Sequence, residues 1–478
     1  MNRRGFLIAY IGFVGLPLLL LLAILHMGAH TQPGSPAASA AASQTAPQPA
    51  PAQGPATVPR AVTIIIQIAV IILAVRALGF VFKFIGQPQV IGEMAAGILL
   101  GPSLLGWAAP HVSAILFPAA SLNDLNIISQ LGIVIYMFQV GLELNLGQLK
   151  GQGRAAVLTS HSSIVVPFVL GALLSLFLYA RLSSDQASPA TFTLFMGAAM
   201  SITAFPVLAR ILTDRGMLGS QVGTLAIACA AVDDVTGWCI VAYITLLIRT
   251  HAGGAAWMTI AGSVAFVLAM IFAVRPLLAR LSIAFERRGA LSENAIALVL
   301  LMALGSALIT DRLGIHLLFG AFLAGAIMPK NAGFTQYVVQ KFQPLTVVLL
   351  LPLYFAYTGL RMNLALLRGG RMWLYCGVII VVAILGKLGG SMFASRAAGN
   401  SWGHAAALGV LLNTRGLMEL VILNIGLDLG IISPALFAMM TLMALVTTFV
   451  TTPLLEWVYP MRLIQAEAAA SIETRVAS

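Results

Sequence analysis

The sequence predicts an all-α polytopic membrane protein. Of its 478 residues 60% are apolar and 9% charged, with a mean hydropathy of +0.98, whereas a soluble domain is about half apolar and a quarter charged. From Val62 onward, apolar segments of 16–28 residues follow one another with short connections, and about 20 such residues cross a hydrocarbon core of about 30 Å. Basic residues gather on alternate loops, as membrane topology requires. The formal charge of +11 would suggest nucleic acid in a soluble chain; here it belongs to loops that set orientation, and no nucleic-acid partner is expected. Cys229, Cys239 and Cys376 are odd in number, sit in apolar segments and lack metal-ligand spacing, which argues against a disulfide framework and a zinc site.

The first element is an apolar run over 6–25, preceded by Arg3 and Arg4. Arg3-Arg4-Gly5-Phe6-Leu7 resembles a twin-arginine signal, but the run exceeds the usual signal core of roughly 7–15 residues. Residues 1–30 are therefore either a cleaved signal or a retained anchor helix, and the length favours the anchor. Residues 31–61 hold 7 of the 22 prolines, much Ala and Ser and a single charge, Arg60. Such a composition neither forms a stable helix nor buries a core, so a disordered linker is expected.

Thirteen spans follow within 62–457, near 63–86, 88–107, 126–147, 155–180, 190–213, 222–249, 255–277, 292–310, 314–329, 342–360, 372–395, 402–427 and 432–456. The second and ninth are glycine-rich and expected to bend. With the amino terminus inside, 16 of the 26 Lys and Arg residues fall at the cytoplasmic face, 7 outside and 3 within spans. The bias supports fourteen spans in all, with the linker outside and a short cytoplasmic tail at 458–478. The basic loop from Arg361 to Arg371 is its weakest point.

A charge at the centre of a spanning helix costs about 2.5–3.5 kcal/mol on insertion scales, so each one needs a reason. Arg76, Glu93, Asp233-Asp234, Lys387, Arg415 and Glu419 stand out. Asp233 and Asp234 lie mid-span, and adjacent side chains on a helix diverge by about 100°. One carboxylate can then face an aqueous cavity, where partial desolvation suits it to exchange a proton for a metal cation, while the other meets a different partner. Lys387, flanked by Gly386, Gly389 and Gly390, needs a carboxylate, and the glycines allow the close helix approach that pairing with one of the aspartates requires. Pro206 should interrupt the span over Ser201–Arg210, exposing carbonyls and the hydroxyls of Ser201 and Thr203 to a cation. Gly416 and the polar run from Asn413 to Glu419 should interrupt a second span. Non-helical backbone at that depth lines a cavity or is buried in protein, and interrupted helices in both halves of a chain point to a transporter's midplane site. Glu93 is open to a structural or a transport role, Arg76 is read as a structural pair or a snorkelling side chain, His161 and His316 as satisfied polar contacts with proton relay the alternative, and the Gly97–Gly101 spacing as helix packing; all are left outside the core site.

At these residues the chain resembles the monovalent cation:proton antiporter-2 family, particularly bacterial relatives of plant cation/proton exchangers. The likeness covers about residues 63–457 and rests on Gln89–Glu93 with Gly97–Pro102, Gly141-Leu142-Glu143-Leu144, Ser201–Arg210, Asp233-Asp234, Phe319–Gly325, Gly386-Lys387 and Asn413–Glu419. It implies an inverted-repeat antiporter fold in which a six-helix core with two crossing broken helices slides against a dimerisation domain. It also implies that Asp234 binds the ion, that Asp233 pairs with Lys387, and that Thr203 and Asn413 lie at the helix breaks; Ser201, Arg415 and Glu419 are candidate supporting residues by their place in the interrupted spans. The expected activity is exchange of H⁺ for K⁺ or Na⁺ by a homodimer in a bacterial inner membrane, without catalysis or a cofactor. No phosphate-cradling loop is present in the sequence. A cation channel or a proton-coupled small-solute symporter are the competing readings; an enzyme is disfavoured because no nucleophile, base and oxyanion set is visible.

Overall fold

Apolar helices begin where a polar side chain can take up the free amides of the first turn. The hydroxyls of Ser188, Ser292, Ser401 and Ser433 each accept such an amide hydrogen. The computed structural model describes residues 3–28, 59–143, 153–184, 187–217, 220–249, 255–313 and 316–460. Most of the expected linker at 31–61 and the tail beyond 460 lie outside them.

Among the described residues the chain is helical apart from loops and one isolated bridge, Ser183 to Ile432. α1 (Arg3–Tyr10) runs through a π turn (Ile11–Gly15) into α2 (Leu16–Gly28). Then come α3 (Arg60–Phe84), α4 (Gln89–Leu100), the short α5 (Leu105–Ala108) and α6 (Pro110–Leu116), α7 (Ala119–Glu143) and α8 (Gly153–Leu182). α9 (Pro189–Ser201) and α10 (Phe205–Asp214) are halves of one interrupted span, followed by α11 (Gln221–Arg249), α12 (Ala255–Ala269), α13 (Arg275–Arg288), α14 (Glu293–Arg312) and α15 (Leu317–Ala326). α16 (Ala332–Leu345) passes through a π turn (Thr346–Leu350) into α17 (Leu351–Leu360), and α18 (Gly370–Ile384) through another (Leu385–Gly389) into α19 (Gly390–Ala397). α20 (Trp402–Leu412) and α21 (Leu417–Asp428) form the second interrupted span, bent by 42°, and α22 (Pro434–Val458) closes the described chain. Among the described residues ten helices are long and apolar enough to cross a membrane, or eleven with that bent pair taken as one.

Several boundaries differ from expectation. The span expected to start at 342 starts at Ala332, because its first turns are amphipathic: Phe334, Val338 and Val339 are buried while Gln340 and Lys341 are exposed. The span expected over 255–277 continues to Arg288, through a π turn at Met270–Val274. The expected span 88–107 is met by a span over Ile91–Ala108, made of α4 to Leu100, a turn and α5, whereas the ninth is only the 10 residues of α15.

The helices sort into two bundles. In one, α4 packs on α3 and α17, and α7 on α14, α15 and α17; in the other, α8 packs on α9, α11 and α19, and α20 on α11, α19 and α22. They meet where α22 touches α4 and α21 touches α17. Glycine sets the closest contacts of the first bundle: a Cβ on Gly359 would lie 2.1 Å from the Gly97 carbonyl carbon, and one on Gly101 2.7 Å from Gly359 O. The Gly97–Gly101 spacing therefore seats α4 on α17.

Contacts between helix ends agree with an alternating path. Arg60 pairs with Asp124, Ser183 bridges to Ile432 and Arg361 pairs with Asp428 at one face. Arg215 pairs with Glu456 and Asn331 with Glu286 at the other. The Arg361 guanidinium, part of the anomalous basic loop, also donates to Asn424 Oδ1 at 2.8 Å. Its charge is taken up between the bundles, which removes part of the anomaly.

Candidate ion-binding site

Both interrupted helices break at the same place. α9 ends at Ser201, residues 202–204 leave the helix, and α10 restarts with Pro206 in its first turn, where a missing amide costs nothing. α20 ends at Leu412 and α21 restarts at Leu417. The gaps cross: the Ala204 amide donates to Thr414 O at 2.9 Å, and the Thr203 hydroxyl lies 3.1 Å from Leu412 O.

A helix that stops inside a membrane leaves its last carbonyls without partners, and its carboxyl end carries partial negative charge. Two buried cations meet that need on α9. Arg415 donates to Ala199 O at 2.8 Å and Met200 O at 2.6 Å, and Lys387 Nζ donates to Ser201 O. Arg415 also pairs with Glu419 Oε2 at 2.5 Å, and Thr448 Oγ1 contacts both its amide and its carbonyl.

Lys387 stands in the π turn of α18–α19, with Nζ 2.8 Å from Asp233 Oδ2 on α11; both side chains are 0% exposed. Nζ also donates to Ser163 O at 2.8 Å. That carbonyl is free because Pro167, four residues on in α8, has no amide to give it. Gly386 and Gly390 let the turn settle on Pro167 and Val166 of α8. The Asp233 carboxylate receives Thr203 Oγ1 at 2.6 Å and Ser163 Oγ at 2.9 and 3.0 Å besides the ammonium. One carboxylate is thus held by three side-chain donors, from α8, the first helix break and the π turn of α18–α19.

The other candidate residues are placed as follows. The Ser201 hydroxyl turns back to Ala198 O, so this residue contributes its carbonyl rather than its side chain. Asn413 Oδ1 is buried with no hydrogen-bond partner among the described residues, as are Arg415 Nε and Glu419 Oε1. The Asp234 side chain lies outside the described residues; its backbone continues α11. Glu93 is buried in α4 of the other bundle. His316 caps the start of α15, its Nδ1 accepting from the Leu318 amide at 3.4 Å.

Ser163 and Thr448 were not legible as site residues. The run Thr159-Ser160-His161-Ser162-Ser163 is a polar patch in an apolar helix, the one signal that could have found Ser163. Outside the spans, Lys330 donates to Gly141 O and Leu142 O at 2.9 Å, tying the end of α7; partial burial and the Arg275 guanidinium push its ammonium down to about 8.

Two crossed, interrupted helices and buried opposite charges in a polytopic bundle define a membrane transporter of ions. Residues 68–458 match the sodium/hydrogen exchanger transmembrane family, and the chain belongs to it. It is 42% identical over 398 residues to the Na(+)/H(+) antiporter NhaS4 of Synechocystis, covering 83% of this chain and 97% of that protein. It is 39% identical over 401 residues to cation/H(+) antiporter 17 of Arabidopsis thaliana and 33% identical over 404 residues to K(+)/H(+) antiporter 1 of Saccharomyces cerevisiae. Those alignments take in 83% and 82% of this chain but only 48% and 46% of the relatives. The sodium proton antiporter MjNhaP1 of Methanocaldococcus jannaschii has the same fold, with a TM-score of 0.61 over 84% of this chain and 98% of that one at 14% identity.

Proposed function

We propose that this protein is a secondary active antiporter that exchanges protons for K⁺ or Na⁺ at a membrane-embedded aspartate by alternating access. The observation that carries this is the engagement of Asp233. With Lys387, Thr203 and Ser163 all on its carboxylate, Asp233 is committed to holding the crossing together. The next residue, Asp234, sits about 100° further round α11 and is the carboxylate left for an exchangeable ion.

Asp234 binds a proton or a cation, one excluding the other, and the occupied site is carried between the two faces as the bundles shift. Asn413 Oδ1, Thr203 and the carbonyls at the breaks are the oxygen donors that a dehydrated monovalent cation needs. Release of Asp233 would leave the Lys387 ammonium in a dry site, where it sheds its proton; that adds a second charge event to the cycle. The sodium- and potassium-exchanging relatives support monovalent cations as the cargo. The chain works as a homodimer in a bacterial inner membrane with its carboxyl end in the cytoplasm, the orientation favoured by its basic loops.

The test is proton flux in proteoliposomes on adding K⁺, Na⁺ or Li⁺, for wild type and Asp234→Asn. A cation-triggered collapse of the pH gradient that vanishes in the variant is expected and names the ion. Cation flux that is independent of the pH gradient would replace antiport by a channel, and proton uptake that demands an organic solute would replace it by symport.

A further inference from the structure

The amino-terminal helix has a specific seat. α1 and α2 pack on α8, and α2 also reaches α9, so the helix lies against the bundle that holds the crossing. Ile24 is 2% exposed and packs with Leu21 against Val165, Val169, Ala172 and Leu173 of α8. Leu7, Ile8, Ile11, Leu16, Leu19 and Leu22 remain exposed on its other sides. The helix therefore has one protein-facing stripe and an apolar remainder suited to lipid.

One polar contact is set into this apolar seam. Tyr10 OH lies 3.2 Å from His161 Nδ1, with the two rings edge to face at a centroid distance of 5.7 Å. His161 is on the face of α8 that α1 covers, two residues before Ser163. Without α1 that face would present an imidazole to lipid at the depth of the site, where an unpartnered polar group is expensive. The Ser163 hydroxyl also contacts Ser160 O at 2.7 Å, so the turn of α8 that carries His161 is the turn that braces Asp233 and accepts from Lys387.

We propose that residues 3–28 are a resident helix of the transport bundle: they stay in the mature protein, travel with α8, and through Tyr10 and His161 steady the turn that carries Ser163. Tyr10 and His161 are positioning residues, acting on the site only through α8. The functional part of this inference rests on the antiport reading; the structural part does not.

Three measurements separate them. Amino-terminal sequencing of the protein purified from membranes through a carboxyl-terminal tag should give a start at or before Arg3. A start between 29 and 60 would overturn the proposal. Thermal unfolding in detergent, which needs no transport activity, and proton flux in proteoliposomes are then compared for Tyr10→Phe, His161→Leu and the double variant. Tyr10→Phe should lower the maximal exchange rate by about two- to tenfold, the worth of one hydrogen bond, and lower the unfolding temperature. In the His161→Leu background the same change should have a clearly smaller effect on both, because the imidazole that needed the hydroxyl is gone. His161→Asn retains an acceptor, so there the dependence on Tyr10 should persist, and this variant serves if the leucine fails to fold. Additive effects, or an unaffected Tyr10→Phe, would refute the coupling. Wild-type protein without flux but with the non-additive thermal pattern would uphold the docked helix and strike only the antiport reading.

Discussion

Taking away the Lys387 ammonium should harm the fold more than taking away the charge of its partner. In Lys387→Met the Asp233 carboxylate keeps Thr203 and Ser163 but loses its cation, and it then faces the carbonyls of Ser163 and Ser201 with nothing between. The carboxyl end of α9 adds further negative potential. Removing one partner of a buried ion pair costs about 3–5 kcal/mol, and this variant belongs at the upper end. In Asp233→Asn the Lys387 amine keeps both carbonyls and is free to shed its proton, so no unpaired charge stays buried and the cost belongs at the lower end. The double variant leaves no buried charge at this pair and should cost less than the two singles together, since uncharged replacement of such pairs is often close to neutral. The assay is thermal unfolding of the detergent-solubilised protein, read from the fraction remaining monodisperse after heating. An unfolding temperature for Lys387→Met equal to wild type, or a double variant as damaged as the sum of its parts, would refute the electrostatic account of the crossing.

Thr203→Val removes the hydroxyl that donates to Asp233, leaving the buried carboxylate one donor short; a loss of about 1–3 kcal/mol is expected, with Thr203→Ser close to wild type in the same heating assay. Gly359→Ala puts a methyl group into the backbone of α4 at Gly97 and should cost about 1–3 kcal/mol through forced separation of the helices, checked by the same unfolding measurement. Lys330 should give a pH signature. Its folded value is about 8 against 10.5 for an ordinary lysine, so below about 8 folded and unfolded chains both hold the proton and its burial cost is fully present. Between those values only the unfolded chain keeps the proton, so stability rises with pH across the window; Lys330→Met should lack that rise when unfolding temperature is followed from about pH 7 to pH 10.

What could be read in the sequence was what costs energy locally. Lys387, Arg415 and the aspartates are conspicuous because a charge in an apolar run must be explained within that run, and Pro206 and Gly416 mark the breaks by their own backbone chemistry. Ser163 was hidden because serine is unremarkable in a buried helix; its part depends on Pro167 freeing its carbonyl and on a π turn some 220 residues away presenting Lys387 to it. Ser201 was chosen for its hydroxyl, yet its carbonyl is what the ammonium uses. The first turns of α16 were missed because they are amphipathic, with a polar side that apolar run length does not count. The Arg361 loop contradicted the charge rule for a long-range reason: its partners, Asn424 and Asp428, come from α21.

The two breaks also constrain how this protein can be altered or inherited. Residues 199–201 and 204 find their backbone partners on Arg415, Lys387 and Thr414, while the Arg415 backbone finds its own on Thr448. Neither interrupted segment is complete without the other. A chimera that imports one break from a distant relative would strand polar groups in the membrane, whereas one that exchanges Ser163, 199–204, Asp233, Lys387, 412–419 and Thr448 together carries its own complement. The crossing is therefore a single graftable unit assembled from six separated stretches of chain, and sequence drift at any one of them should be answered at the others.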